Sequence, residues 1–127
     1  MKKRAIVTPS APKAIGPYSQ AIAAGDLVFV SGQAGIDPAT GTVQSGIEAQ
    51  AEQALRNVAA ILEAAGCSMA DVVKTTLWLT DAAHFSTVNE IYARHFPEPA
   101  PARSTPILAG LPRGLLISIE AIAAKPA

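Results

Sequence analysis

The 127-residue chain has one cysteine, Cys67, and two histidines, His84 and His95. A single cysteine excludes an internal disulfide and any metal site built on thiolates. Neither histidine has a second ligand at metal spacing such as i+4, so no structural metal is expected. Net charge is missing as well, because ten acidic side chains balance ten basic ones. Three of the basic residues, Lys2, Lys3 and Arg4, stand at the start, leaving seven basic against ten acidic from Ala5 onward. A mildly acidic body without a basic cluster suits the phosphate backbone poorly, so no nucleic-acid partner is expected. No apolar run approaches the about 20 residues of a membrane helix. Met1–Arg4 is followed by prolines rather than the apolar segment of a secretory signal. These absences leave a soluble, cytoplasmic, single-domain protein spanning 1–127, with no membrane partner.

Half of the chain is hydrophobic, but 26 of those residues are alanine. The core must therefore be one closely packed body of small side chains, burying roughly 65–70% of the unfolded surface. Pro9, Pro12 and Pro17 make the first 17 residues an arm or loop, with one short strand near Ile6–Val7. A strand over Tyr18–Ala24 precedes a Gly25-Asp26 turn. Leu27–Val30 is a continuous apolar run, which predicts a strand buried on both faces. Turn formers fill Asp37–Gly41. Ser45 and Glu48 have capping-box spacing, and Ile47, Ala51, Leu55, Val58 and Leu62 form a helical stripe closed by Gly66.

Alternation over Val72–Thr80 places Val73, Thr75, Leu77 and Leu79 on one face, with Lys74, Thr76 and Trp78 on the other. A second helix is expected from Ala82 to Phe96, stopped by Pro97. Arg103–Ala109 and Leu115–Ala124 read as two strands of a hairpin about the loop Gly110–Gly114. The predicted class is α+β, a mixed sheet with two helices on one face. Trp78 then projects from the uncovered face, which points to oligomerisation.

Several residues break these patterns. Glu120 interrupts the most apolar strand, and a carboxylate there needs water, a partner or a function. The expected hairpin brings Arg103 near Ala121, and hence to the same end of the sheet as Glu120. That pair reads either as a structural salt bridge or as an anion clamp with an acid beside it. Asn89 sits within the aromatic helix stripe Phe85, Tyr92 and Phe96, either satisfying backbone or touching a ligand. Tyr18 follows a rigid Gly16-Pro17 turn, and Ser31-Gly32 ends a buried strand; each is a lid or turn residue, or lines a cleft. Cys67 follows a helix C-terminus, where the dipole disfavours thiolate, so it is not a nucleophile. His84 reads as a surface residue.

Taken in order, Ile15-Gly-Pro-Tyr18-Ser, Val30-Ser-Gly-Gln33, Ile36-Asp-Pro-x-Thr-Gly41, Gln53-Ala-Leu-x-Asn57, Pro101-Ala-Arg-Ser104 and Ile119-Glu-Ala-Ile-Ala123 form a pattern along nearly the whole chain. It resembles the reactive intermediate deaminase (Rid, YjgF-like) family, which also carries the labels liver perchloric-acid-soluble protein and endoribonuclease. The resemblance implies a chorismate-mutase-like α+β fold and a homotrimer with ligand clefts between subunits. It also implies cofactor-free hydrolysis of 2-imino or enamine acids, such as 2-aminoacrylate or 2-iminobutanoate, to 2-keto acids and ammonia. By position, Arg103 would bind the substrate carboxylate and Glu120 would orient the water. Tyr18, Ser31 and Asn89 match other cleft residues, and Gly32 offers a backbone donor. Thr105 replaces the cysteine frequent two residues after the arginine, and Pro106 suggests an edge or bulge. Two further readings stay open: a non-catalytic trimeric module for small carboxylates, and a deaminase of another enamine in a catabolic pathway. The ribonuclease label conflicts with the mildly acidic body.

Overall fold

A computed structural model describes residues 2–126. Six strands form one mixed sheet: β1 (Lys3–Ile6), β2 (Ala21–Ala24), β3 (Leu27–Ala34), β4 (Val72–Leu79), β5 (Ala102–Ser104) and β6 (Ile117–Ala124). Their spatial order is β1-β2-β3-β6-β4-β5, with only β4 and β5 parallel. Helices α1 (Gly46–Ala64) and α2 (Phe85–His95) cover one face. The α+β class and its helix layer are as the sequence predicts.

Alternation builds the core. On β6, Ile117, Ile119, Ala121 and Ala123 are buried, while Ser118, Glu120, Ile122 and Ala124 are only half-buried. Leu55, Val58, Ile61 and Leu62 of α1 are fully buried against that layer. Among the described residues no layer covers the opposite face of the sheet. There Phe29 is 41% exposed and pairs with Ile122, which pairs in turn with Lys74. The expectation that Leu27–Val30 is buried on both faces is thus corrected. Only Val28 and Val30 face the helices, and β3 also runs four residues further, to Ala34.

Other local rules shift for identifiable reasons. Ser45 stands at the N-cap of α1, but its side chain caps nothing, and the chain enters through Gly46 at φ +86°. The expected Ser45–Glu48 capping box is absent; a box forms instead at Ser68, whose N–H donates to Asp71 Oδ2 at 2.8 Å. Gly66 closes α1 at φ +81°, as expected of a left-handed cap. β2 begins at Ala21 rather than Tyr18, because Gln20 turns inward. Its amide donates to the carbonyls of Thr8, Ala11 and Pro12 and holds the N-terminal arm on the sheet. A register shift between Val72 and Lys74 puts Val72, not Val73, on the buried face. α2 follows a 3₁₀ turn, Ala82–His84, whose entry Asp81 caps through the Ala83 N–H.

The hairpin is corrected outright. β5 pairs with β4, β6 lies on the far side of β4, and Gly110–Gly114 belongs to a loop leading over the sheet end. β5 stops at Ser104, at the sheet edge, and Pro106 offers only its carbonyl, to Leu79 N–H.

Buried amides fix the loop after β3. Asn57, fully buried on α1, donates to the carbonyls of Ala34 and Ile36 at 3.1 and 3.0 Å and accepts from Gln53. Asn57→Leu leaves these partners buried and unsatisfied, so it should cost about 2 kcal/mol. A urea midpoint lowered at constant slope would show this loss. An unchanged midpoint would mean that the amide contributes nothing.

Candidate active site

Arg103 comes from the edge strand. Its register partner on β4 is Thr75, which is fully buried on the helix side, so Arg103 emerges on that side too. The guanidinium lies 4.8 Å from the ring centroid of Tyr92 and 5.6 Å from that of Phe85. Such stacking contributes about 0.5–2 kcal/mol and holds the planar group still. Nη2 donates to Asn89 Oδ1 at 2.8 Å. Asn89 therefore serves the arginine rather than the backbone. The Tyr92 hydroxyl is 2.7 Å from Thr75 Oγ1, and burial pushes its pKa up against the opposing effects of that bond and of the Arg103 charge. Tyr92, Phe96, Asn89, Glu98 and Arg103 line an open cleft of about 390 Å³. Among the described residues every ion pair centres on Glu52, so the Arg103 charge is uncompensated. Of the two readings of the Arg103–Glu120 pair, the salt bridge does not form.

A second group gathers at the far end of β3. Ser31 and Gly32 fall in a register break between Val30 and Gln33 and have no ladder partner on β6. Ser31 Oγ donates to the Ser19 carbonyl at 2.6 Å and its N–H to that of Gln20, which ties down the Tyr18 loop. Tyr18 is half exposed, and its hydroxyl accepts from Ile15 N–H at 3.4 Å. A methyl group on Gly32 would come within 2.8 Å of Ser118 Oγ, which would have to turn away to admit it. Tyr18, Gly32, Gln33 and Arg113 line a cleft of about 250 Å³.

Glu120 is half-buried in the central strand β6 and pairs with Thr76, on the uncovered face. It is the only acidic residue in any of the six strands. Arg103 and Glu120 thus occupy neighbouring rows of the sheet but emerge on opposite faces. β3 and β5 are also three strand spacings apart, about 14 Å. The sequence-derived residues form two groups: Arg103 with Asn89, followed by half-buried Thr105, and Tyr18 with Ser31 and Gly32 beside the open face that carries Glu120. One chain does not bring them together.

Sequence reasoning missed Ser118 and Arg113. Ser118 shares the polar side of β6 with Glu120, and this i, i+2 pair was the available signal. Arg113 stood among turn formers and carried none. Cys67 is buried, and burial together with Asp71 raises its thiol pKa, which suits a packing residue. His84 is partly buried rather than on the surface, its Nδ1 shielded and unpartnered. Among the described residues no three His, Cys, Asp or Glu side chains cluster as a metal site would need. Nor is any helix among the described residues long and apolar enough to cross a membrane.

Known proteins share this sequence pattern and this fold. The sequence profile of the family described as endoribonuclease L-PSP matches residues 8–125. Reactive intermediate deaminase A of Arabidopsis thaliana, a chloroplastic protein, is 53% identical over 124 residues, covering 97% of this chain and 66% of its own. The human 2-iminobutanoate/2-iminopropanoate deaminase is 49% identical over 122 residues, covering 95% and 89%. A solved structure from Thermotoga maritima superposes with a TM-score of 0.95 at 52% identity, over the whole of both chains. With motifs, fold and relatives in agreement along nearly its full length, the chain belongs to the endoribonuclease L-PSP (YjgF/Rid) family.

Proposed function

We propose that this protein hydrolyses reactive 2-imino or enamine acids to 2-keto acids and ammonia, as a homotrimer whose sites form between subunits. One observation carries the reading: each half-site is incomplete within a chain. One offers an anchored, uncompensated guanidinium on the helix face, and the other a glycine-floored cleft beside the face that bears Glu120. Docking the apolar uncovered face of one copy, with Phe29, Ile122 and Trp78, against a neighbour would bury it and close the site.

In the assembled site Arg103 holds the substrate carboxylate through its fork, which places the adjacent C=N carbon. Glu120 orients a water and accepts its proton as the oxygen adds to that carbon. Tyr18 donates a hydrogen bond to the substrate nitrogen; Ser31, its proton engaged by Ser19, holds the Tyr18 loop. Glu120 passes that proton to the nitrogen to give the carbinolamine, then relays the hydroxyl proton to the amine as the C–N bond breaks, which forms the keto group and releases ammonia. Conjugate imines are already electrophilic, so no cofactor is required by these steps.

The test is complementation. Arg103→Ala and Glu120→Gln are each made inactive, then mixed under conditions of subunit exchange. Random assembly restores intact sites at about a quarter of the total, because each site draws one half from each copy. Keto-acid release from enzymatically generated 2-iminobutanoate measures the recovery. Mixtures that exchange subunits and stay inactive would overturn a site shared between copies.

A further inference from the structure

The cleft beside Tyr18 carries a cation that the steps above do not use. Arg113 lines this cleft and also the larger adjoining groove of about 490 Å³, where Tyr18, Lys13 and Asp37 are its neighbours. Among the described residues it is the only non-glycine at positive φ, at +60°. That backbone is disfavoured for any residue with a Cβ. The side chain is tethered as well, since Nη2 donates to the Gly41 carbonyl at 3.0 Å across 72 residues of sequence. One carbonyl engages one of the five guanidinium N–H groups, and the others stay available. Lys13 adds a second positive charge to the groove. The acid there, Asp37, is partly engaged, because Oδ1 accepts from Ala39 N–H at 2.8 Å. The balance at this end is positive.

We propose that Arg113 is a subsite for a second anionic group, so that the preferred substrates are 2-imino acids with a carboxylate on the side chain. The inference rests on the hydrolytic reading above. Arg103 of one copy takes the carboxylate next to the imine, and Arg113 of the neighbour takes the distal one. A substrate with two anionic ends then spans both half-sites, and a neutral side chain leaves Arg113 unused.

Calorimetric binding of 2-oxoglutarate and 2-oxobutanoate, the keto acids of an acidic and a neutral imine, tests this directly. Wild type should bind the dicarboxylate about tenfold tighter, the scale of one charge-assisted hydrogen bond. Arg113→Met should erase that ratio, and Arg113→Lys should keep about a third of it. Arg113→Gly, suited to the left-handed backbone, serves if the methionine variant melts early. Equal affinities in wild type, or a ratio unchanged by Arg113→Met, overturn the subsite. Turnover of 2-iminoglutarate and 2-iminobutanoate is measured on the same proteins. Turnover without a dicarboxylate preference keeps the hydrolytic reading and removes the subsite. A binding preference lost in Arg113→Met, with no turnover, keeps the subsite and removes the hydrolysis.

Discussion

Replacing Arg103 by alanine is expected to lower kcat/KM for 2-iminobutanoate by about 10²–10³-fold, the loss of both carboxylate affinity and placement. The side chain stands on the short edge strand β5 and is held by Asn89 and the Tyr92 ring rather than by a counter-ion. A charge kept uncompensated in this way is ready for an anionic ligand, and its orientation is set before binding. Arg103→Lys should recover less than about a tenth of the lost activity, because an ammonium has no fork and does not stack as a plane. The fold should survive both changes, as Arg103 is only half-buried and at the sheet edge. Steady-state kinetics beside a thermal melt separates the two effects. Wild-type rates in a folded Arg103→Ala protein would reduce the Arg103–Asn89 bond to a structural contact.

Glu120→Gln should lower kcat by about 10²–10⁴-fold with little change in KM, the range for loss of a positioned base. The amide keeps the shape of the carboxylate and can still hold a water, but it cannot accept that water's proton. No other strand residue carries an acid, and Glu120 occupies the middle of the sheet beside Thr76. Full activity in Glu120→Gln, together with loss in Ser118→Ala, would move the water-orienting role along β6 to the residue that approaches Gly32.

Much of the fold was legible because its signals are local. The stripe Ala51, Leu55, Val58 and Leu62 with Gly66 marks α1 without reference to the rest of the chain. Val73 was misplaced because a bulge shifts the register by one, and nothing in Val72-Val73 tells which valine faces inward. The hairpin failed because short separation favours direct pairing, whereas β4 lies between β5 and β6 through contacts that no local pattern encodes. Arg103 and Glu120 did stand out, each as a charge in a strand. Their faces were not legible, because a face depends on neighbours, and the neighbour of Arg103 turned out to be Thr75. Arg113 escaped notice since a loop arginine gains meaning only from the Gly41 carbonyl far away in sequence.

The position of β6 has a consequence for the order of assembly. It is the last of the six strands to be synthesised, yet it lies at the centre, between β3 and β4. Until it emerges, β1-β2-β3 and β4-β5 are two separate fragments, each presenting a raw strand edge. Such edges recruit other chains, and long-range pairing is slow to form. A nascent chain halted at Gly114 would therefore hold both helices and five strands with no strand pairing to join the two sheet fragments. Insertion of Ile117–Ala124 is the step that commits the molecule, and delay in that step is where aggregation would begin.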